Sequence, residues 1–159
     1  AGSASGIVDG ASAMIIASEE YVQKYHLSPI AEVIDGQVVG VEPTKMGIGP
    51  VPAIQQLLAR QNKKIEDIDL FEINEAFAVQ VLAFLEHFGI ADDDARVNPF
   101  GGAIAVGHPL ASSGVRLMLN LARSFETHPE VRYGLTTMCI GLGMGGTIIW
   151  ENPNFKGAK

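Results

Sequence analysis

The 159-residue chain contains a single cysteine, Cys139. One cysteine excludes an intrachain disulfide and fits a reducing compartment, so we expect a cytoplasmic location, with an organelle matrix as the alternative. It also limits the chemistry of the chain. A reaction that uses one cysteine as nucleophile and a second as proton donor needs a thiol from elsewhere.

Other scarcities exclude classes of partner. Only 18% of the residues are charged, and 18 acidic against 11 basic residues give a formal net charge of −7. This net negative charge, without a cluster of basic residues, argues against a nucleic-acid partner. It also argues, less strongly, against binding of a phosphorylated cofactor by this chain alone. No apolar run approaches the roughly 20 residues needed to span a bilayer, so we expect no membrane partner. We predict no metal site.

The hydrophobic pattern predicts an α/β fold. From Pro29 onward, the order of elements is strand, helix, strand, helix, helix, strand, strand, with the last two strands forming an antiparallel hairpin. This order favours a sandwich with a mostly parallel sheet and an antiparallel edge. Before Pro29, residues 10–17 form a short apolar run that predicts a buried strand, and Ser18 is placed to cap a short helix that ends near Tyr25.

His108 ends the glycine-rich run 98–108 and precedes Pro109. Because a residue before proline avoids the α conformation, His108 is expected at or near the N-cap of the next helix. The positive end of that helix favours a neutral imidazole, which can accept a proton or donate to an oxyanion. The alternative is a capping histidine without chemistry. We expect purely structural roles for His26, His87 and His128.

Cys139 ends an apolar strand and opens a turn that contains Gly141, Gly143, Gly145 and Gly146. Backbone amides in such a turn can converge on an anion, lower the pKa of the thiol and supply an oxyanion hole. The alternative is a buried cysteine at a hairpin that needs glycine only to turn.

Asn74 follows a predicted strand and is expected to begin a helix. It is either an ordinary N-cap or a carboxamide that holds a water or a substrate oxygen at the carboxyl edge of the sheet. Glu75 suits the first turn of that helix. Ser5 either presents a hydroxyl to a ligand or belongs to a flexible terminus.

Four motifs in this chain resemble, in the same order, the C-terminal half of the thiolase family (acetyl-CoA acetyltransferases and 3-ketoacyl-CoA thiolases). They are Ala-Gly-Ser-Ala-Ser-Gly at 1–6, Asn-Glu-Ala-Phe-Ala at 74–78, Gly-Gly-Ala-Ile-Ala through Gly-His-Pro at 101–109, and Cys-Ile-Gly at 139–141. The resemblance implies a thiolase-like layered sandwich, half of an αβαβα body, with a mixed five-stranded sheet and helices on both faces. It also implies that residues 1–27 are the end of an N-terminal domain and 28–159 a C-terminal domain.

The resemblance assigns catalytic roles to four residues. His108 resembles the histidine that activates the nucleophilic cysteine and helps to form the first oxyanion hole, and Asn74 the residue that holds the water of that hole. Cys139 resembles the proton-shuttling cysteine. The Gly141 amide resembles a donor of the second oxyanion hole.

Four further residues fall where the family contacts the pantetheine arm of coenzyme A: Ser5, Met46, Ala76 and Phe77. The implied substrates are CoA and acyl-CoA, with no permanently bound cofactor. The nucleophilic cysteine of the family lies in the N-terminal half, which this chain lacks.

We therefore expect the C-terminal portion of a thiolase of fatty acid metabolism, which transfers acyl groups between CoA thioesters. It would be inactive without the N-terminal half and would form a homo-oligomer when complete. One alternative is a non-catalytic thiolase-fold subunit or partner-binding scaffold. Another is a small cysteine–histidine acyl hydrolase, in which Cys139 itself becomes acylated.

Overall fold

The computed structural model describes residues 3–157, and within them the chain forms five α-helices, four β-strands and two short 3-10 helices. The α-helices are α1 (Glu19–Tyr25), α2 (Pro50–Arg60), α3 (Ala78–Phe88), α4 (Ala103–Val106) and α5 (Leu110–Thr127). The strands are β1 (Glu32–Gly40), β2 (Leu70–Ile73), β3 (Tyr133–Ile140) and β4 (Met144–Glu151). The 3-10 helices span Pro43–Ile48 and Ile65–Asp67.

The strands form one mixed sheet in the order β1-β4-β3-β2. The predicted hairpin is confirmed, since β3 pairs antiparallel with β4. However, β1 also pairs antiparallel with β4, and only β2 and β3 are parallel. The prediction of a mostly parallel sheet was therefore wrong. The hairpin inserts between β1 and β2, so β1 meets β4 and not a strand of its own direction.

The sheet has four strands, not the five that the resemblance implies. Beyond β2, residues 3–157 add one parallel bridge, between Phe71 and Val97. Asn98 then turns the backbone with a φ of 45°. The Asn98 side chain makes the next hydrogen bonds at this edge of β2: Oδ1 accepts from the Ile73 amide at 2.7 Å and Nδ2 donates to the Ile73 carbonyl at 3.0 Å. The side-chain amide thus makes the hydrogen bonds that the backbone of a fifth strand would make.

The apolar run 10–17 was wrongly predicted as a buried strand. It has no strand assignment, and Ile15 and Ile16 are 97% and 78% exposed. Its side-chain hydrogen bond to the rest of the described chain joins the hydroxyls of Ser12 and Ser112, 2.7 Å apart. An apolar segment becomes a buried strand only when a sheet edge pairs with it, and the edges of this sheet lie elsewhere.

Helices cover both faces of the sheet, as predicted. On one face, α2 and α3 pack through Ile54, Leu57 and Phe84 onto Phe71 and Leu135. On the other face, α5 packs beside β2 and β3, where buried apolar side chains form a smaller cluster of Leu70, Leu121, Phe125 and Trp150. Within residues 3–157, no helix combines the length and apolarity that a membrane crossing needs.

Two helix boundaries agree with the sequence patterns, and one does not. The Ser18 hydroxyl accepts from the Tyr21 amide at the start of α1, and Gly89 ends α3 with a φ of 66°. However, α3 begins at Ala78, with Phe77 in extended conformation before it. Asn74 is therefore not an N-cap, and residues 74–77 form a link between β2 and α3.

Candidate active site

Asn74 lies at the carboxyl end of β2 and is completely buried. Its amide donates to the Thr137 carbonyl at 3.0 Å, which extends the β2–β3 ladder by one residue. Its side-chain nitrogen lies 3.4 Å from Nε2 of His108, and its Oδ1 has no hydrogen-bond partner among the described residues. Because a buried polar oxygen without a partner is costly, Oδ1 is an acceptor for a water or a ligand.

The ring orientation of His108 is set by Ser113, one turn into α5. The two side chains meet at 2.6 Å between Nδ1 and Oγ, and the Ser113 hydroxyl donates to the Pro109 carbonyl at 3.2 Å. Since that hydroxyl uses its hydrogen on Pro109, its oxygen accepts from Nδ1–H. Nε2 therefore carries the lone pair and faces Asn74, so the ring presents a proton acceptor to the site.

The pKa of His108 is lowered from its usual value, first by burial and second by the charge of Arg116. Both effects disfavour imidazolium. The predicted neutral ring thus agrees in direction with the structure. The cause of the lowered pKa is burial and the charge of Arg116, whereas the sequence predicted an effect of the positive end of α5.

The N-terminal segment holds the backbone of His108. The His108 amide donates to the Gly6 carbonyl at 2.8 Å. The preceding residue, Gly107, has a φ of 92°, and a Cβ there would lie 2.5 Å from a methyl carbon of Val8. Only glycine therefore allows the segment 6–8 to pass against the loop and fix its end.

Cys139 lies on β3, next to the strand that ends in Asn74. It is two residues beyond Thr137, which bonds to Asn74. Its backbone is therefore about 7 Å further along the strand. Cys139 is 8% exposed, and burial raises the pKa of its thiol. The predicted lowering of that pKa by a nest of amides was wrong for this chain.

The glycines near Cys139 explain this difference. Gly145 and Gly146 belong to β4 and pair with Cys139 and Met138. A Cβ at Gly145 would overlap the backbone of Gly49, so this glycine permits close packing and not a nest. Gly141 follows β3 directly, is exposed, and has open space where a Cβ would lie.

Three of the four residues predicted to contact a pantetheine arm lie in or next to the link 74–77. The Ser5 amide and hydroxyl both donate to the Ala76 carbonyl, at 3.0 and 3.4 Å. Phe77 is 47% exposed and bridges to Ala4. Met46 lies in the 3-10 helix before α2, half-buried.

The position of Met46 relative to α3 follows from its neighbour Gly47. A Cβ at Gly47 would lie 3.4 Å from the side chain of Gln80, one turn into α3 from Phe77. The 3-10 helix therefore lies against the start of α3, next to the residues that follow Phe77.

The remaining histidines lie outside this arrangement. His26 ends α1, His128 ends α5, and His87 is exposed on α3 with Nε2 3.0 Å from the side-chain nitrogen of Gln55. Sequence reasoning missed Ser113, although its position four residues after Pro109 is the helical spacing that places it one turn above His108.

Nε2 of His108, the Oδ1 atom of Asn74 and the protonated thiol of Cys139 are groups that exchange protons with, or donate and accept hydrogen bonds from, carbonyl compounds and bound water. Asn74 and Cys139 follow or end the neighbouring strands β2 and β3. The model of "Thiolase, C-terminal domain" matches residues 27–152. The chain belongs to the thiolase family.

Curated relatives support this assignment across nearly the whole chain. The chain is 54% identical over 151 residues to a beta-ketoadipyl-CoA thiolase of Pseudomonas knackmussii, and the match covers 95% of this chain and 37% of the relative. It is 50% identical over 152 residues to a 3-ketoacyl-CoA thiolase of Yersinia enterocolitica, covering 95% and 39% respectively. The chain thus spans between a third and two fifths of their lengths.

Solved structures agree. Human mitochondrial 3-ketoacyl-CoA thiolase superposes with a TM-score of 0.90 at 42% identity, covering 96% of this chain and 38% of that one. A complex of human mitochondrial 3-ketoacyl-CoA thiolase with CoA gives 0.89 at 42% identity, covering 95% and 38%. The layered thiolase fold is therefore confirmed for this portion, with four strands in its sheet.

Proposed function

We propose that this chain is the C-terminal portion of a thiolase that transfers acyl groups between CoA thioesters. The reaction is thiolytic cleavage of a 3-ketoacyl-CoA, or the Claisen condensation in reverse. The observation that carries the proposal is the Asn74–His108 contact at 3.4 Å, in which the Asn74 side-chain nitrogen meets Nε2 of His108 and leaves Oδ1 of Asn74 without a partner among the described residues.

In the proposed cleavage, a cysteine thiol from the N-terminal half loses its proton to Nε2 of His108 and attacks the 3-keto carbon. Protonated His108, with a water held by Oδ1 of Asn74, donates to the oxyanion. The carbon–carbon bond then breaks, and the departing enolate of acetyl-CoA takes the proton of Cys139.

The Cys139 thiolate next removes the proton of an incoming CoA thiol. That thiolate attacks the acyl-enzyme thioester, the bond to the enzyme cysteine breaks to release the shortened acyl-CoA, and the leaving cysteine thiolate takes back the proton held by His108. A buried Cys139 suits this role because its raised pKa keeps the proton on sulfur until an enolate forms beside it. The amide of Gly141 would stabilise the oxyanion of the second step, and Ser5, Met46, Ala76 and Phe77 would line the pantetheine arm.

We propose the N-terminal thiolase half as the partner that completes the site, and a homo-oligomer as the complete form. An apolar groove of about 340 Å³ lies beside α5, lined by Val38, Met118, Met138 and Ile148 among others. Contiguous apolar surface of this kind typically marks an interface. Ile15 and Leu110 are further apolar side chains that the described chain leaves exposed.

The substrate class is proposed from the relatives. They are named for thiolases of beta-ketoadipyl-CoA and of 3-ketoacyl-CoA. We propose 3-ketoacyl-CoA esters as substrates, coenzyme A as the second substrate without a permanently bound cofactor, and the cytoplasm as the location.

Complementation tests the proposal. The chain is assayed for CoA-dependent cleavage of acetoacetyl-CoA alone and together with the N-terminal portion of the Pseudomonas knackmussii relative. That portion paired with its own C-terminal portion is the positive control. We expect no turnover by the chain alone and turnover by the pair.

Two results would overturn the proposal in different ways. Turnover by the chain alone, with an acyl group on Cys139 in intact-mass spectra, would indicate a cysteine–histidine acyl hydrolase or transferase. A pair that co-purifies but lacks activity, while the positive control is active, would indicate a non-catalytic scaffold.

A further inference from the structure

Glu75 follows Asn74 directly, yet it is not the first-turn acid that its position predicted, because α3 begins at Ala78. Its carboxylate points instead at the glycine-rich loop. Oε1 accepts from the side-chain amide of Asn98 at 2.9 Å, and Oε2 accepts from the backbone amide of Ile104 at 3.1 Å. Both carboxylate oxygens are thus used on the loop that ends in His108.

The loop is shaped to receive this carboxylate. A Cβ at Gly102 would fall on the carboxyl group of Glu75. Ile104 lies in the first turn of α4, and Gly102, the residue before α4, offers no side chain to cap its amides. The Glu75 carboxylate supplies that cap from another part of the chain.

Asn98 carries the connection back to the strand. Its carboxamide bonds to both the amide and the carbonyl of Ile73 while Nδ2 also reaches Glu75. Asn98 is 8% exposed, so these bonds are shielded from water and strengthened. Ile73 precedes Asn74, and Ile104 lies four residues before His108.

We infer that Glu75 and Asn98 form a clamp that positions the catalytic pair, holding the Asn74 carboxamide against Nε2 of His108. The inference rests on the proposed thiolase function. Glu75 and Asn98 are positioning residues, since both act through Asn74 and His108 and neither needs to touch substrate. The 3.4 Å contact between two residues 34 positions apart depends on this connection.

Glu75→Gln tests the clamp with minimal change of shape. A glutamine has one acceptor oxygen, so it keeps one of the two bonds and turns an N–H₂ group towards a second donor. Because a misplacement of about 1 Å in a catalytic group costs about 10²-fold, we expect kcat of the complemented enzyme to fall by about that factor, with little change in KM. Glu86→Gln, exposed on α3, is the matched control.

Asn98→Asp tests the other half of the clamp. Aspartate keeps the acceptor for the Ile73 amide but loses the donor that Nδ2 offers to the Ile73 carbonyl and to Glu75. We expect N98D to lower kcat as E75Q does. The loss in E75Q/N98D should be smaller than the product of the two single losses, because both residues act through one connection.

The His108 ring provides a readout that needs no turnover. In this chain alone, ¹⁵N signals of the His108 imidazole should shift in E75Q and in N98D and stay in place in E86Q. Unshifted His108 signals in E75Q, or a kcat equal to that of E86Q, would overturn the clamp. If the wild-type pair has no activity, the thiolase proposal fails, and the ring signals still decide on the clamp.

Discussion

The Asn74 side-chain nitrogen lies 3.4 Å from Nε2 of His108, and Ser113 holds the opposite ring nitrogen at 2.6 Å. The imidazole is therefore fixed from both sides, with its lone pair directed to the end of β2. A base that is already aligned loses little orientational freedom in the reaction.

Cys139→Ala should abolish most activity of the complemented enzyme. Removal of a positioned acid or base costs about 10²–10⁴-fold, so we expect at least the lower figure in acetoacetyl-CoA thiolysis. Glu86→Gln, exposed on α3 and outside the groove beside α5, is the control. A C139A enzyme within about tenfold of wild type would contradict the proposed proton transfer.

Ser113→Ala should lower kcat because the Nδ1–H of His108 loses its acceptor. A hydrogen bond to a charged group is worth about 1.5–3 kcal/mol, which converts to a roughly 10–100-fold loss once the ring is protonated. Ser112→Ala removes an identical hydroxyl that contacts Ser12 and not His108. Equal kinetics for the two variants would show that Ser113 does not orient the ring.

Glu72→Gln should change the pH dependence of stability. Glu72 is 1% exposed on β2, and burial raises the pKa of its carboxyl from 4.5 to about 7. Between those values the folded state binds more protons than the unfolded state, so this carboxyl lowers stability as the pH rises through the window. The E72Q variant should match wild type near pH 4.5 and exceed it by about 3 kcal/mol at pH 8.

Urea denaturation of this chain at the two pH values measures the effect of E72Q, with E86Q as the exposed control. The difference between variant and wild type must grow with pH. A constant difference, or a variant less stable at pH 8, would show that Glu72 is not held protonated by its burial.

The chain without its N-terminal half should associate or bind a second polypeptide through the groove beside α5. Light scattering should give a mass above that of one chain. Val38 lines the groove and is 62% exposed, so Val38→Lys should reduce association, whereas Val79→Lys on α3 should not. A monodisperse monomer for the wild-type chain would contradict this prediction.

Local patterns in the sequence predicted several elements correctly. Apolar periodicity and Gly89 located α3 and its end, and the glycines after Cys139 marked the hairpin of β3 and β4. The motif around His108 placed a histidine before α5. These signals are local, because helix ends and tight turns depend on the conformations of a few neighbouring residues.

Non-local contacts decided the rest. Residues 10–17 are as apolar as a strand but have no sheet edge to pair with, and Asn98 replaces a fifth strand with its side chain. The sequence allowed Asn74 to be a helix N-cap, but its backbone amide bonds to the Thr137 carbonyl of β3. No local pattern predicts which edge or carbonyl a segment will meet.

The sequence by itself determined the kind of protein and the residues of its candidate site, because the motifs around Asn74, His108 and Cys139 are visible without coordinates. Only the tertiary structure decided the state of those groups. Burial raises the thiol pKa of Cys139, and the hydrogen bond to Ser113 sets the tautomer of His108. The Glu75 carboxylate bonds to the glycine-rich loop and not to the first turn of α3. Protonation and orientation depend on desolvation and on partners distant in sequence, which exist only after folding.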